Sequence, residues 1–119
     1  YLGDYVGGAY VVSGESSPSS AFNLAYAEGR LIGVSASSLT RYSVAIAGDV
    51  NGDGYADVLV GAPEEASNGN LSGTGYLVHG PISGDLILDQ ADAIFAAENN
   101  DDYLGSACSF SLTAMFVCW

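Results

Sequence analysis

Oxygen-bearing side chains are concentrated in the stretch GDVNGDGYADVLVGAP, residues 48–63. Counted from Asp49, Asp or Asn stands at positions 1, 3, 5 and 9, and position 7 is Tyr55, whose backbone carbonyl is available. Alternate residues of a tight, glycine-containing loop point inward, so the odd positions converge on one centre. Ca²⁺ takes about six to eight oxygen ligands from carboxylates, amides and carbonyls. The spacing therefore indicates a Ca²⁺-binding loop.

Three other interpretations of this loop are weaker. An EF-hand needs a bidentate Glu at position 12 and flanking helices, but position 12 here is Val60, within an apolar run. The same absence argues against a dockerin loop. A hairpin turn without an ion remains the alternative, although a hairpin needs only one Asn-Gly or Asp-Gly pair and not alternating acids.

The composition excludes several classes of partner. The chain has 119 residues, with 2 Lys and Arg against 14 Asp and Glu, and a formal net charge of -12. Nucleic acids and anionic membrane surfaces are bound through basic patches, so we expect neither as a partner. Hydrophobic residues make up 49% of the chain, which argues against disorder. No run of 18 apolar residues is present, so we expect no membrane span in this chain.

An internal repeat in the sequence indicates which strands position the acidic loop. Residues 8–14 resemble residues 74–80, and residues 30–33 resemble residues 94–97, so one unit is about 65 residues long. Within a unit we predict four short strands, at residues 42–47, 57–62, 76–79 and 94–97, with a turn at residues 81–84. Four short strands in each repeated unit are typical of a β-propeller blade. His79 lies in the third strand without a recognisable catalytic partner, which favours a surface or packing role.

The strand at residues 42–45, the acidic loop and Val60-Gly61-Ala62-Pro63 together resemble an FG-GAP repeat. This is the repeat of integrin α-subunit β-propellers and of many bacterial surface proteins. The Phe-Gly that names the repeat is replaced by Thr40-Arg41, and the next unit has the approximation Leu104-Gly105. After Cys108 a second acidic loop is due, but the chain continues with an apolar, acid-free run.

The resemblance implies an all-β fold, a fragment of a β-propeller with less than two four-stranded FG-GAP blades. We predict the last strands of a preceding blade in residues 1–37, a blade with a Ca²⁺-binding loop in residues 38–99, and the start of a further blade with an aberrant tail in residues 100–119. By the same resemblance, the Ca²⁺ ligands are Asp49, Asn51, Asp53, the carbonyl of Tyr55, and Asp57.

The function implied is that of a calcium-binding, non-catalytic propeller segment of a secreted or cell-surface protein. It would mediate adhesion or protein–protein interaction, with a protein or glycan partner on the intact propeller. No nucleophile–base pair or open catalytic metal site is recognisable in the sequence, so we do not expect an enzyme. The alternative is the propeller part of a larger extracellular hydrolase or phospholipase, which a neighbouring catalytic domain would reveal.

Overall fold

The computed structural model describes residues 7–12, 23–34, 42–64, 72–106, 108–110 and 116–118. These residues contain strands and two short 3₁₀ turns, Leu24–Tyr26 and Leu88–Gln90, and no α-helix. The strands are β1 (Gly8–Val11), β2 (Gly29–Ile32), β3 (Ser43–Gly48), β4 (Asp57–Ala62), β5 (Thr74–Val78), β6 (Gly84–Ile87), β7 (Ala93–Ala96), β8 (Cys108–Phe110) and β9 (Phe116–Cys118). The prediction of an all-β fold is confirmed, and the open sheets are those of a β-propeller fragment. No helix in the described part of the chain is long and apolar enough to cross a membrane.

The main sheet contains four antiparallel strands in the order β3-β4-β5-β7. These are the four strands predicted for one unit, each displaced by no more than two residues. Strand β4 is buried at every position because it has a neighbouring strand on each side and covered faces above and below. Its unbroken apolar run Val58-Leu59-Val60 is the sequence signature of that environment.

A second sheet has the order β1-β2-β6 and corrects one prediction. The hairpin β1–β2 is antiparallel, but β6 pairs with β2 in parallel, with Arg30 opposite Asp85. The sequence predicts a turn at residues 81–84 and no strand between it and the strand at residues 94–97. The structure instead places Gly84–Ile87 in the preceding sheet. Because the two strands are far apart in the chain, local sequence patterns give no sign of this pairing.

The core lies between these two sheets. Val58 and Val60 of β4 pack with Tyr76 and Val78 of β5 against Leu31 of β2. The opposite face of the main sheet buries smaller groups around Leu59, including Ala47. Strand β8 lies beside β3. The two central strands of the main sheet, β4 and β5, are therefore buried on both faces.

The chain that follows β7 contacts the main sheet through Leu104 and Gly105. Leu104 forms a parallel bridge with Gly73, and the hydroxyl of Ser43 donates a hydrogen bond of 2.8 Å to the carbonyl oxygen of Gly105. Gly105 lies directly against Gly61. Gly105 thus packs against Gly61 and Ala62, the first two residues of the Gly-Ala-Pro segment. Thr40 and Arg41, and part of the predicted aberrant tail, lie outside the described residues.

Candidate metal centre

The acidic loop is the connection of the β3–β4 hairpin. The two strands are antiparallel, and the register shifts between Ile46 and Gly48, so that Gly48 lies opposite Asp57. The loop at residues 49–56 is exposed. Gly52 and Gly54 have φ values of +77° and +89°, a conformation that other residues rarely adopt. The glycines between the acids therefore allow the tight turn that the spacing predicts.

The carboxylate of Asp49 organises the loop by accepting three backbone hydrogen bonds. The N–H groups of Gly52 and Asp53 donate to Oδ1 over 2.8 and 3.0 Å, and the N–H of Gly54 donates to Oδ2 over 2.8 Å. Short side chains of this type commonly bind nearby backbone amides in turns. The first acidic position thus shapes the loop in addition to carrying charge.

The next two polar positions are linked to this network. The amide nitrogen of Asn51 donates to Oδ2 of Asp53 over 3.2 Å, and the N–H of Tyr55 donates to Oδ1 of Asp53 over 2.9 Å. A longer contact of 3.4 Å joins the N–H of Asp53 to Oδ1 of Asn51. The structure therefore brings Asp49, Asn51 and Asp53 together in one hydrogen-bonded cluster.

Asp57 begins β4, and its side chain is completely buried. Its Oδ2 accepts a hydrogen bond of 2.7 Å from the N–H of Val50, and its Oδ1 accepts one of 2.9 Å from the N–H of Gly80. Burial alone would raise the pKa of the Asp57 carboxyl, but the hydrogen bonds from Gly80 and Val50, with the nearby His79, together lower that pKa. Asp57 is therefore held as an anion beneath the loop.

The donor set fits a hard cation in its chemistry. All five predicted ligand atoms are oxygens, which hard cations such as Ca²⁺ prefer. A carboxylate has about four lone-pair sites. The hydrogen bonds described above use three of these sites on Asp49 and two on Asp53, so each carboxylate keeps acceptor capacity for an ion. In the described part of the chain, no three Asp, Glu, His or Cys side chains gather as a metal-binding group. Asp57 is connected to the loop by the hydrogen bond from the N–H of Val50. The set of five Ca²⁺ ligands stays a prediction.

Two residues beside Asp57 were not recognised from the sequence as part of this region. Val58 pairs with Val78, the last residue of β5, in the antiparallel β4–β5 ladder. His79 and Gly80, which follow β5, therefore lie next to Asp57, which begins β4. A Cβ atom at Gly80 would lie only 2.2 Å from the carbonyl oxygen of Ala56. Glycine at this position therefore lets the backbone come close enough to donate to Asp57. The strand register, once known, would have identified both residues.

Comparison with known proteins gives one family. The model of the FG-GAP repeat matches residues 40–78, which include β3, the acidic loop, β4 and β5. No curated protein and no solved structure matches the chain. The matched range coincides with the hairpin and loop described above and with the third strand that supports them. The chain thus contains an FG-GAP repeat at residues 40–78.

Proposed function

We propose that this chain is a calcium-binding, non-catalytic β-propeller segment of a secreted or cell-surface protein, and that it mediates adhesion or protein–protein interaction. The ion is held by Asp49, Asn51, Asp53, the Tyr55 carbonyl and Asp57. The observation that carries the proposal is the binding of three successive loop amides, those of residues 52–54, by the carboxylate of Asp49. This network fixes the loop while leaving oxygen lone pairs available.

Electrostatics supports a bound cation. The loop brings three carboxylates into nine residues and contains no basic residue. One of them, Asp57, is buried, where an uncompensated charge is expensive. A divalent cation would neutralise the repulsion between these groups and would connect the β3–β4 hairpin to the buried start of β4. Bound Ca²⁺ would thereby stiffen one end of the blade, where loops are available to a protein or glycan partner.

Titration calorimetry of the 119-residue protein with Ca²⁺ tests the proposal. We expect the protein to bind Ca²⁺ and Asp53→Ala to lose most of the binding. Mg²⁺ should compete poorly, because it requires a rigid octahedral shell and gives up its water reluctantly. Asp89→Ala is the matched control, since it removes an exposed carboxylate outside the loop and changes the net charge equally. Absence of Ca²⁺ uptake, or equal uptake by Asp53→Ala and the unmodified protein, would overturn the proposal.

A further inference from the structure

His79 presents a buried nitrogen to the buried carboxylate of Asp57. Its Nδ1 lies 3.4 Å from Oδ2 of Asp57. Within the described residues this Nδ1 has no hydrogen-bond partner, although it is shielded from solvent. The side chain as a whole is 30% exposed, so the rest of the ring reaches the surface. The 3.4 Å between Nδ1 and Oδ2 is within ion-pair range, although it is longer than an ordinary hydrogen bond.

The backbone around His79 is fixed on both sides. The N–H of His79 donates a hydrogen bond of 2.7 Å to Oδ2 of Asp92, and the N–H of Gly80 donates to Asp57 over 2.9 Å. The close approach of Gly80 to the carbonyl oxygen of Ala56 keeps this turn against the end of the loop. The imidazole is therefore held next to Asp57 by the strand and turn that carry it.

We propose that His79 is a positioning residue for the calcium site, holding the carboxylate of Asp57 from the β5 side while Val50 holds it from the loop side. The inference rests on the proposed function, because it concerns the same site. Its physical basis is that a ligating carboxylate is oriented by the groups that hydrogen-bond to it, and loss of such a group typically costs about 10–100-fold in metal affinity. His79 does not itself contact the ion in this account.

Three substitutions of His79 distinguish the contribution of the Nδ1 nitrogen to Ca²⁺ affinity from the contribution of the ring's volume. His79→Ala removes both, and His79→Phe keeps a ring of similar size without the nitrogen. His79→Asn restores an N–H donor near the position of Nδ1 without the ring. Tyr26→Ala is the control, since it truncates an exposed aromatic side chain in the 3₁₀ turn that precedes β2. Ca²⁺ affinity is measured by calorimetry at one fixed pH, and the thermal midpoint is measured with a chelator present.

We expect His79→Phe and His79→Ala to bind Ca²⁺ about tenfold more weakly than the unmodified protein. We expect His79→Asn to recover most of the affinity and Tyr26→Ala to lose none. If His79→Ala does not fold, the comparison of His79→Phe with His79→Asn still decides the question. Equal Ca²⁺ affinity of His79→Phe and the unmodified protein would overturn the inference alone, as would a loss in His79→Asn as large as that in His79→Phe. No Ca²⁺ binding by the unmodified protein would overturn the proposed function and this inference with it.

Discussion

Gly61 lies in β4 at a position where any side chain would meet the following unit. A Cβ atom there would stand 2.3 Å from the carbonyl oxygen of Gly105 and 2.6 Å from Oγ of Ser43. Real Cβ atoms do not approach other atoms so closely, and the nearest atom belongs to the backbone. The small residue in this strand is thus required by the contact between successive units.

We therefore expect Gly61→Ala to lower the free energy of unfolding by about 1–3 kcal/mol, the usual cost of overpacking. Urea unfolding measures the change. Ser43→Ala serves as the comparison, because it loses only the hydrogen bond to Gly105 and should cost about 1 kcal/mol. The double variant should be no more stable than Gly61→Ala, since the backbone contact persists. Unchanged stability of Gly61→Ala would contradict the close packing of the two units.

Single residues also show which parts of the candidate site can be predicted from sequence. The acidic positions of the loop follow from their spacing and from the two glycines between them, because both are local properties. The contact of His79 with Asp57 depends on the register of β4 against β5, over a separation of more than 20 residues. No local pattern specifies that register, so His79 was assigned only a surface or packing role.

At the scale of elements, the parallel pairing of β6 with β2 adds a strand from the chain between β5 and β7 to the sheet of β1 and β2. An exposed ion pair lies on this pairing, with the Nε of Arg30 donating to Oδ1 of Asp85 over 2.9 Å. The hydrogen bond and then the charge of Arg30 hold the pKa of Asp85 below its ordinary value of 3.8. Because Asp85 is more strongly acidic in the folded chain, the pair stabilises the fold above that pH and ceases to do so as the pH falls through the lowered pKa.

We expect Asp85→Asn to show a slightly lower thermal midpoint than the unmodified protein at pH 7, and the difference to disappear well below pH 3.8. High salt should also reduce the difference, since both partners are exposed and screened. Thermal unfolding followed by circular dichroism over a series of pH values, in Ca²⁺-free buffer, measures it. A difference that stays constant into the acid range would show that the ion pair is not its source.

The elements of the main sheet were predictable because their patterns are short-range. Alternation marks β3, an unbroken apolar run marks β4, and the repeat of Tyr10 at Tyr76 marks β5. Strand β6 was missed for a physical reason. Its residues Gly84–Ile87 are only half apolar, and their partner strand lies in the preceding unit. Whether this strand forms depends on its pairing with β2. The sequence pattern of the strand itself carries no information about that distant partner.

At the scale of the whole molecule, the formal net charge of -12 opposes the compact state. Salt at about 0.15 M limits such repulsion to about 8 Å. We expect the thermal midpoint of the Ca²⁺-free protein to rise when NaCl is added to a low-salt buffer, in spite of the weakened pair of Arg30 and Asp85. Differential scanning fluorimetry with a chelator present checks this. A midpoint that falls with added salt would mean that specific ion pairs outweigh the general repulsion.

Bound Ca²⁺ should stabilise the same molecule by mass action. At a free Ca²⁺ concentration of about 100 times its Kd, the free energy of unfolding should rise by about 2.7 kcal/mol. Urea unfolding with Ca²⁺ and with a chelator measures the difference. Asp53→Ala should abolish most of the gain, whereas Asp89→Ala should retain it. An equal gain in both variants would place the bound ion outside the acidic loop.

The pairing of β2 with β6 also sets an order of events during synthesis. Arg30 and its partner Asp85 are 55 residues apart in the chain. A ribosome adds about 5–20 residues each second, so the edge of β2 waits roughly 3–11 s for the strand that covers it. An uncovered strand edge is a template for pairing with another chain. Slow translation of the intervening residues would therefore lengthen the period in which β2 can pair with a neighbouring nascent chain.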